Sequence, residues 1–185
     1  MTGLSAGWKR KGPLRKWLDE TLMLTIAQAE TPEQIATARQ LIEEYAAWLE
    51  FKLCFQGFEE EMRTFPGKYA SPAGRLLLAL WDGKPAGVVA LRPLEEPTVC
   101  EMKRLYVRPE FRGHQIGRVL AEEIIRKAAE IGYSRMRLDT VAGKMDSAIA
   151  MYRELGFKET NPYYQTPVGH TLFMELELTR RQATA

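Results

Sequence analysis

Apolar and polar residues alternate along the chain in two rhythms, and the switches between them divide it into elements. Leu22 to Ala27 alternates at the two-residue period of a strand. Thr31-Pro32-Glu33-Gln34 then reads as a helix start, with a hydroxyl cap and a proline at the first helical position. Beyond it Ile35, Ala38, Leu41, Ile42, Tyr45 and Trp48 recur every three or four residues to about Leu49, the stripe of a helix lying on a sheet. A mixed aromatic and acidic segment from Phe51 leads into a second helix that ends near Phe65-Pro66-Gly67. Strands are expected over Arg75–Trp81 and Ala86–Leu91, joined at Asp82-Gly83-Lys84-Pro85, and over Val99–Val107. A long helix from Gln115 to Ile131 buries Ile116, Val119, Leu120, Ile124, Ile125 and Ala128. A strand over Arg135–Val141, a helix over Asp146–Leu155 stopped by Gly156, and strands over Phe157–Thr160 and Thr171–Leu178 complete the order β-α-α-β-β-β-α-β-α-β-β. The expected class is α/β, of the α+β kind with a mixed sheet, because an antiparallel meander before the long helix argues against a doubly wound dinucleotide fold.

At 185 residues the chain suffices for one domain with a sizeable core. Residues 1–21 differ in character: Lys9, Arg10, Lys11, Arg15 and Lys16 lie among Gly and Trp, so they are expected to form a peripheral basic arm on a single domain over 22–185. With 26 basic and 24 acidic residues, the net charge of +2 gives no general argument for nucleic acid. Cys54 and Cys100 have no metal or disulfide spacing, His114 and His170 stand apart, and no metal is expected. The longest apolar run is far below the roughly 20 residues of a membrane span, so a soluble, membrane-free protein is expected, and the two cysteines without a disulfide framework fit a cytoplasmic one.

The chemistry concentrates after the third strand of the meander. Arg112-Gly113-His114-Gln115-Ile116-Gly117-Arg118 puts a basic, glycine-containing turn at a helix start, where unpaired N–H groups and the helix dipole favour an anion such as a pyrophosphate. There is no Gly-Lys-Ser/Thr for a P-loop and no Gly-x-Gly-x-x-Gly. The turn is similar to the Arg/Gln-x-x-Gly-x-Gly/Ala signature of the GCN5-related N-acetyltransferase (GNAT) family, with Gln115 at the family's middle glycine. A second stretch, Ala148-Ile149-Ala150-Met151-Tyr152-Arg153-Glu154-Leu155-Gly156-Phe157, resembles the family's Ala-x-x-Leu-Tyr-x-x-x-Gly-Phe pattern, and the element order resembles the GNAT fold across about residues 22–178. Met145 stands where the family commonly has asparagine.

The resemblance implies acetyl-CoA as donor cosubstrate and direct transfer of its acetyl group to a primary amine of a small molecule or peptide. It implies that the backbones of Leu105, Tyr106 and Val107 hold the pantetheine arm and that Arg112, Gly113, His114, Gln115, Ile116, Gly117 and Arg118 cradle the pyrophosphate. Tyr152 would protonate the departing sulfur. Glu101, four residues before Leu105, is the candidate general base, with pairing to Lys103 or Arg104 as its structural alternative. Homodimers are common in the family. Phe51, Phe55, Phe58, Tyr163 and Tyr164 are candidates for an acceptor wall, and Glu59-Glu60-Glu61 for attracting a cation. The acceptor itself stays open, and so does a CoA-responsive regulatory module with little catalysis, since Gln115 and Met145 both alter cofactor-holding positions.

Overall fold

The computed structural model describes residues 24–49 and 57–178. The expected start of the first strand at Leu22, the basic arm, and Phe51, Cys54 and Phe55 lie outside the described residues. The elements are β1 (Leu24–Gln28), α1 (Pro32–Leu49), α2 (Phe58–Arg63), β2 (Arg75–Trp81), β3 (Lys84–Pro93), β4 (Val99–Val107), α3 (Ile116–Ile131), β5 (Arg135–Val141), α4 (Asp146–Glu154), β6 (Lys158–Glu159) and β7 (Thr171–Glu177). The order is the one the sequence pattern predicts.

The start of α1 is built as a capping box: Thr31 Oγ1 accepts the Gln34 N–H at 3.3 Å, and Gln34 Oε1 accepts the Thr31 N–H at 3.1 Å. The β2–β3 connection is tighter than expected. Trp81 pairs with Lys84, so Asp82 and Gly83 alone form the turn, and Lys84 and Pro85 belong to β3. Both turn residues have positive φ, as a two-residue hairpin that follows the sheet's twist requires.

Seven strands form one sheet in the order β1-β2-β3-β4-β5-β7-β6. Every neighbouring pair is antiparallel except β4 with β5. The apolar face of α1 supplies Ala38, Leu41 and Ile42 to a cluster with Leu76, Leu78, Val88, Ala90 and Tyr106. On the other side α3 supplies Ile116, Leu120, Ala121, Ile124 and Ala128 to a second cluster with Leu77, Val89, Leu91, Met102, Leu138 and Tyr152. Val119 and Ile125, expected inside, are only partly buried. Trp48 also departs from the stripe: it is 37% exposed, and Leu49 is the buried residue at that end of α1.

The decisive irregularity lies in β4. Val88 faces Tyr106, but Ala90 faces Lys103, so Arg104 and Leu105 together oppose Val89. This is a β-bulge, and Arg104 takes φ 59 there. β4 and β5 pair only from Val99–Arg135 to Glu101–Arg137, so the stretches 102–107 and 138–141 run on as facing, splayed edges.

Candidate active site

The splay opens a cleft of about 430 Å³. Its walls are Met102–Val107 of β4, Leu138–Val141 of β5, Ala148, Met151 and Tyr152 of α4, Tyr45, Trp48 and Leu49 of α1, and Arg112 and Gly117 at the start of α3. Sequence motifs far apart in the chain therefore meet at one opening that passes through the sheet.

The backbone of β4 is aimed into it. Arg108 N–H donates to Ala86 O at 2.9 Å, toward β3. Backbone groups alternate edges along a strand, so those of Val107 turn the other way, to the cleft. There the Val107 carbonyl accepts Arg112 Nε at 3.1 Å. β3 can approach this stretch closely because Gly87 lies opposite Val107; a Cβ on Gly87 would stand 2.7 Å from Tyr106 O.

The turn before α3 forms with Gln115 at φ 59, ψ 13, preceded by Gly113 at φ 86. A glutamine at the position of the expected glycine does not abolish the turn; it strains it. The left-handed region costs a non-glycine residue about 1–2 kcal/mol, partly offset by its smaller loss of chain entropy on folding. Gln115→Gly is therefore expected to gain about 0.5–1 kcal/mol, read as a rise in Tm; a fall in Tm would show that the glutamine side chain stabilises the turn. His114 packs on Trp81, ring centroids 4.6 Å apart, which anchors the turn to β2.

Arg112 lines the cleft, with its guanidinium carbon 5.2 Å from the Trp48 ring centroid. Lys144 Nζ lies 5.4 Å from the same ring and donates to Leu49 O at 2.6 Å, tying the β5–α4 connection to the end of α1. Arg118 is not among the residues that line the cleft; it pairs with Glu154 and, at 3.7 Å, with Glu122. Met145 lines the cleft beside α4, and it is Asp146 Oδ1 that ties the start of that helix, accepting Gly143 N–H at 2.7 Å.

Tyr152 is buried at the cleft, its ring edge-to-face with Phe157 at 5.7 Å. Burial raises its phenol far above the ordinary range. Tyr45, across the opening, is likewise pushed up by burial to about 12. Both stay protonated at any working pH.

Glu101 is placed differently from the expectation for a base. It is 0% exposed and is absent from the cleft walls. Arg92 Nε donates to its Oε2 at 2.7 Å, Tyr163 OH to its Oε1 at 2.8 Å, and Lys103 Nζ stands 3.6 Å away. Pairing with Lys103 was the anticipated structural alternative; the stronger partners, Arg92 and Tyr163, were not anticipated. Arg104 instead forms a bidentate pair with Glu61 of α2 at 2.9 and 2.7 Å, over the Phe58 ring. The acidic run thus spends Glu61 on the bulge and Glu60 on Arg63.

The carboxylate that does reach the cleft is Asp139, which sequence reasoning missed. Lys103 Nζ donates to it at 2.7 Å. Burial alone would raise its pKa, but the charge and hydrogen bond of Lys103, with a hydrogen bond from Tyr164, outweigh this and hold it below its usual value. The signal was in β5: Met136 and Leu138 face the α3 cluster, so alternation sends Arg137 and Asp139 to the opposite face.

Residues 38–157 match the Acetyltransferase (GNAT) family. The chain belongs to the GNAT family of acetyltransferases. It is 37% identical over 158 residues to an uncharacterized N-acetyltransferase of Schizosaccharomyces pombe, covering 85% of this chain and 96% of that one. Another uncharacterized N-acetyltransferase, from Dictyostelium discoideum, is 29% identical over 216 residues, covering 84% and 100%. A crystal structure from Klebsiella pneumoniae, described as a putative acyl-CoA N-acyltransferase, superposes with a TM-score of 0.66 at 28% identity, covering 85% of this chain and 99% of that one. The chemistry of this GNAT fold is acyl transfer, and among the described residues no helix is long and apolar enough to cross a membrane.

Proposed function

We propose that this GNAT protein transfers the acetyl group of acetyl-CoA to a primary amine within the β4–β5 cleft. The observation that carries the reading is the coincidence, at one opening, of a splayed strand edge, a basic helix start and a buried phenol.

The cofactor lies along the open edge of β4. The first N–H groups of α3 have no partner within the helix, and with the turn over 113–117 and Arg112 they suit the pyrophosphate. Arg118 reaches a phosphate only by leaving Glu154, so Arg112 carries more of this contact. Leu105, Tyr106 and Val107 border the pantetheine channel, with the cleft-facing N–H of Val107 as a donor. The Val107 N–H is the donor for the carbonyl oxygen that gains charge when the amine nitrogen attacks the thioester carbon.

That attack forms a C–N bond as the C–S bond breaks; the ammonium proton leaves and the thiolate gains one. Tyr152 is the donor to the thiolate. A CoA thiol has a pKa near 8.5, well below a phenol raised by burial, so complete proton transfer from Tyr152 is uphill. Its contribution is a persistent hydrogen bond that stabilises the leaving sulfur, with the proton completed from solvent. Glu101 is enclosed by its own donors, and its role in this scheme is to hold Tyr163, Arg92 and Lys103 in place.

Tyr152→Phe is the test. We expect kcat to fall by about 10-fold to 100-fold, with acetyl-CoA affinity nearly unchanged. Full turnover in the phenylalanine variant would remove the phenol from the reaction; a parallel loss of affinity would make its role packing alone.

A further inference from the structure

We infer that the acceptor is a zwitterion, an amine that carries its own carboxylate, as in a free amino acid. This deepens the transfer reading above and rests on it.

The cleft passes through the sheet, and its two sides differ. On the α3–α4 side lie the phosphate cradle and Tyr152, which leaves the α1–α2 side for the acceptor. By strand alternation that side receives Lys103 and Asp139, and Arg104 turns there as well to meet Glu61 and Phe58 of α2. Among the described residues that line the cleft, Asp139 is the one carboxylate, against the cations Lys103, Arg104, Arg112 and Lys144. An acceptor ammonium has one place to go.

That place is already committed. Asp139 is 12% exposed and Lys103 7% exposed, and they pair at 2.7 Å. The surrounding pairs are closed too, Arg92 with Glu101 and Arg104 with Glu61. A ligand of single positive charge that takes Asp139 leaves the buried Lys103 only the longer contact to Glu101, 3.6 Å away and already held by Arg92 and Tyr163, and weakening a buried pair in this way is unfavourable. A polyamine, or the end of a basic peptide, adds further positive charge against the remaining cations. A zwitterion avoids both penalties by exchanging partners: its ammonium takes Asp139 and its carboxylate takes Lys103, with Lys144 also lining the cleft. The exchange itself leaves each buried charge with an opposite partner. The nitrogen then sheds one proton to water and attacks the acyl carbon; as the C–N bond forms and the C–S bond breaks, it loses a second proton to solvent and the departing thiolate takes one up.

The purified protein would be given acetyl-CoA and one of three acceptor sets: common amino acids, the same amino acids as carboxamides, and spermidine. Thiol release and product mass would be followed. The expected result is transfer to a subset of the amino acids, with kcat/KM lower on the order of 100-fold for each matching carboxamide and lower still for spermidine. Asp139→Asn should raise the amino-acid KM by about 10-fold or more while the stabilisation by acetyl-CoA persists. Transfer to carboxamides or spermidine at equal or better efficiency overturns the zwitterion inference and leaves acetyl transfer standing. So does failure of every amino acid when acetyl-CoA binds. Failure of acetyl-CoA to bind overturns both.

Discussion

Glu101→Ala is expected to cost about 3–5 kcal/mol of folding stability, more than a third of the margin of many domains. The side chain has no exposure, and its two oxygens take donors from three directions: Arg92 of β3, Tyr163 of the β6–β7 connection and, less closely, Lys103 of β4. Truncation leaves the half-buried Tyr163 phenol without its acceptor and two cations without their shared anion. Arg92 is 27% exposed and recovers some hydration, which puts the expectation at the lower end of the range. Glu101→Gln keeps the shape and one acceptor oxygen and should cost less, about 1–3 kcal/mol. Urea unfolding at neutral pH measures both. A stable alanine variant whose turnover nevertheless collapses would contradict this account and return Glu101 to the proton path.

The sheet and helices were legible because each rests on a local pattern. The capping box at Thr31–Gln34, the stripes of α1 and α3 and the Asp82-Gly83 turn are all satisfied by neighbours close in sequence. The glycine-containing turn before α3 was legible for the same reason, and the left-handed Gln115 shows that the turn geometry tolerates a side chain there. The ion pairs were not legible. Arg104–Glu61 spans 43 residues, Lys103–Asp139 spans 36 and Tyr163–Glu101 spans 62, and one strand carried several cations with several acids able to receive each. Spacing cannot choose among such partners, because the choice is made by which face a bulge turns each side chain toward. Arg104 is the clearest example: its positive φ breaks the alternation that would otherwise have set it opposite Lys103. Trp48 follows a related rule. Its position in the α1 stripe marks it as core, yet it lies where α1 overhangs the cleft, and its ring is met by Arg112 and Lys144.

The central claim is that the β4–β5 cleft receives acetyl-CoA, and thermal unfolding with and without that ligand tests it most directly. The required groups are preassembled: the Val107 backbone faces the opening, Arg112 is docked on Trp48 at its rim, and the strand edges are already apart. Little binding energy should be spent on rearrangement, although Arg112 must share its guanidinium between the Val107 carbonyl and the phosphates. At a concentration about 100 times its dissociation constant, acetyl-CoA should stabilise the fold by about 2.7 kcal/mol, a rise of several degrees in Tm. Free CoA should give a comparable rise, since most of the proposed contacts are to the pantetheine and phosphates. An unchanged Tm at saturating acetyl-CoA would contradict the account: it would mean that the cleft, with Gln115 in its turn and Met145 in its wall, does not bind the donor.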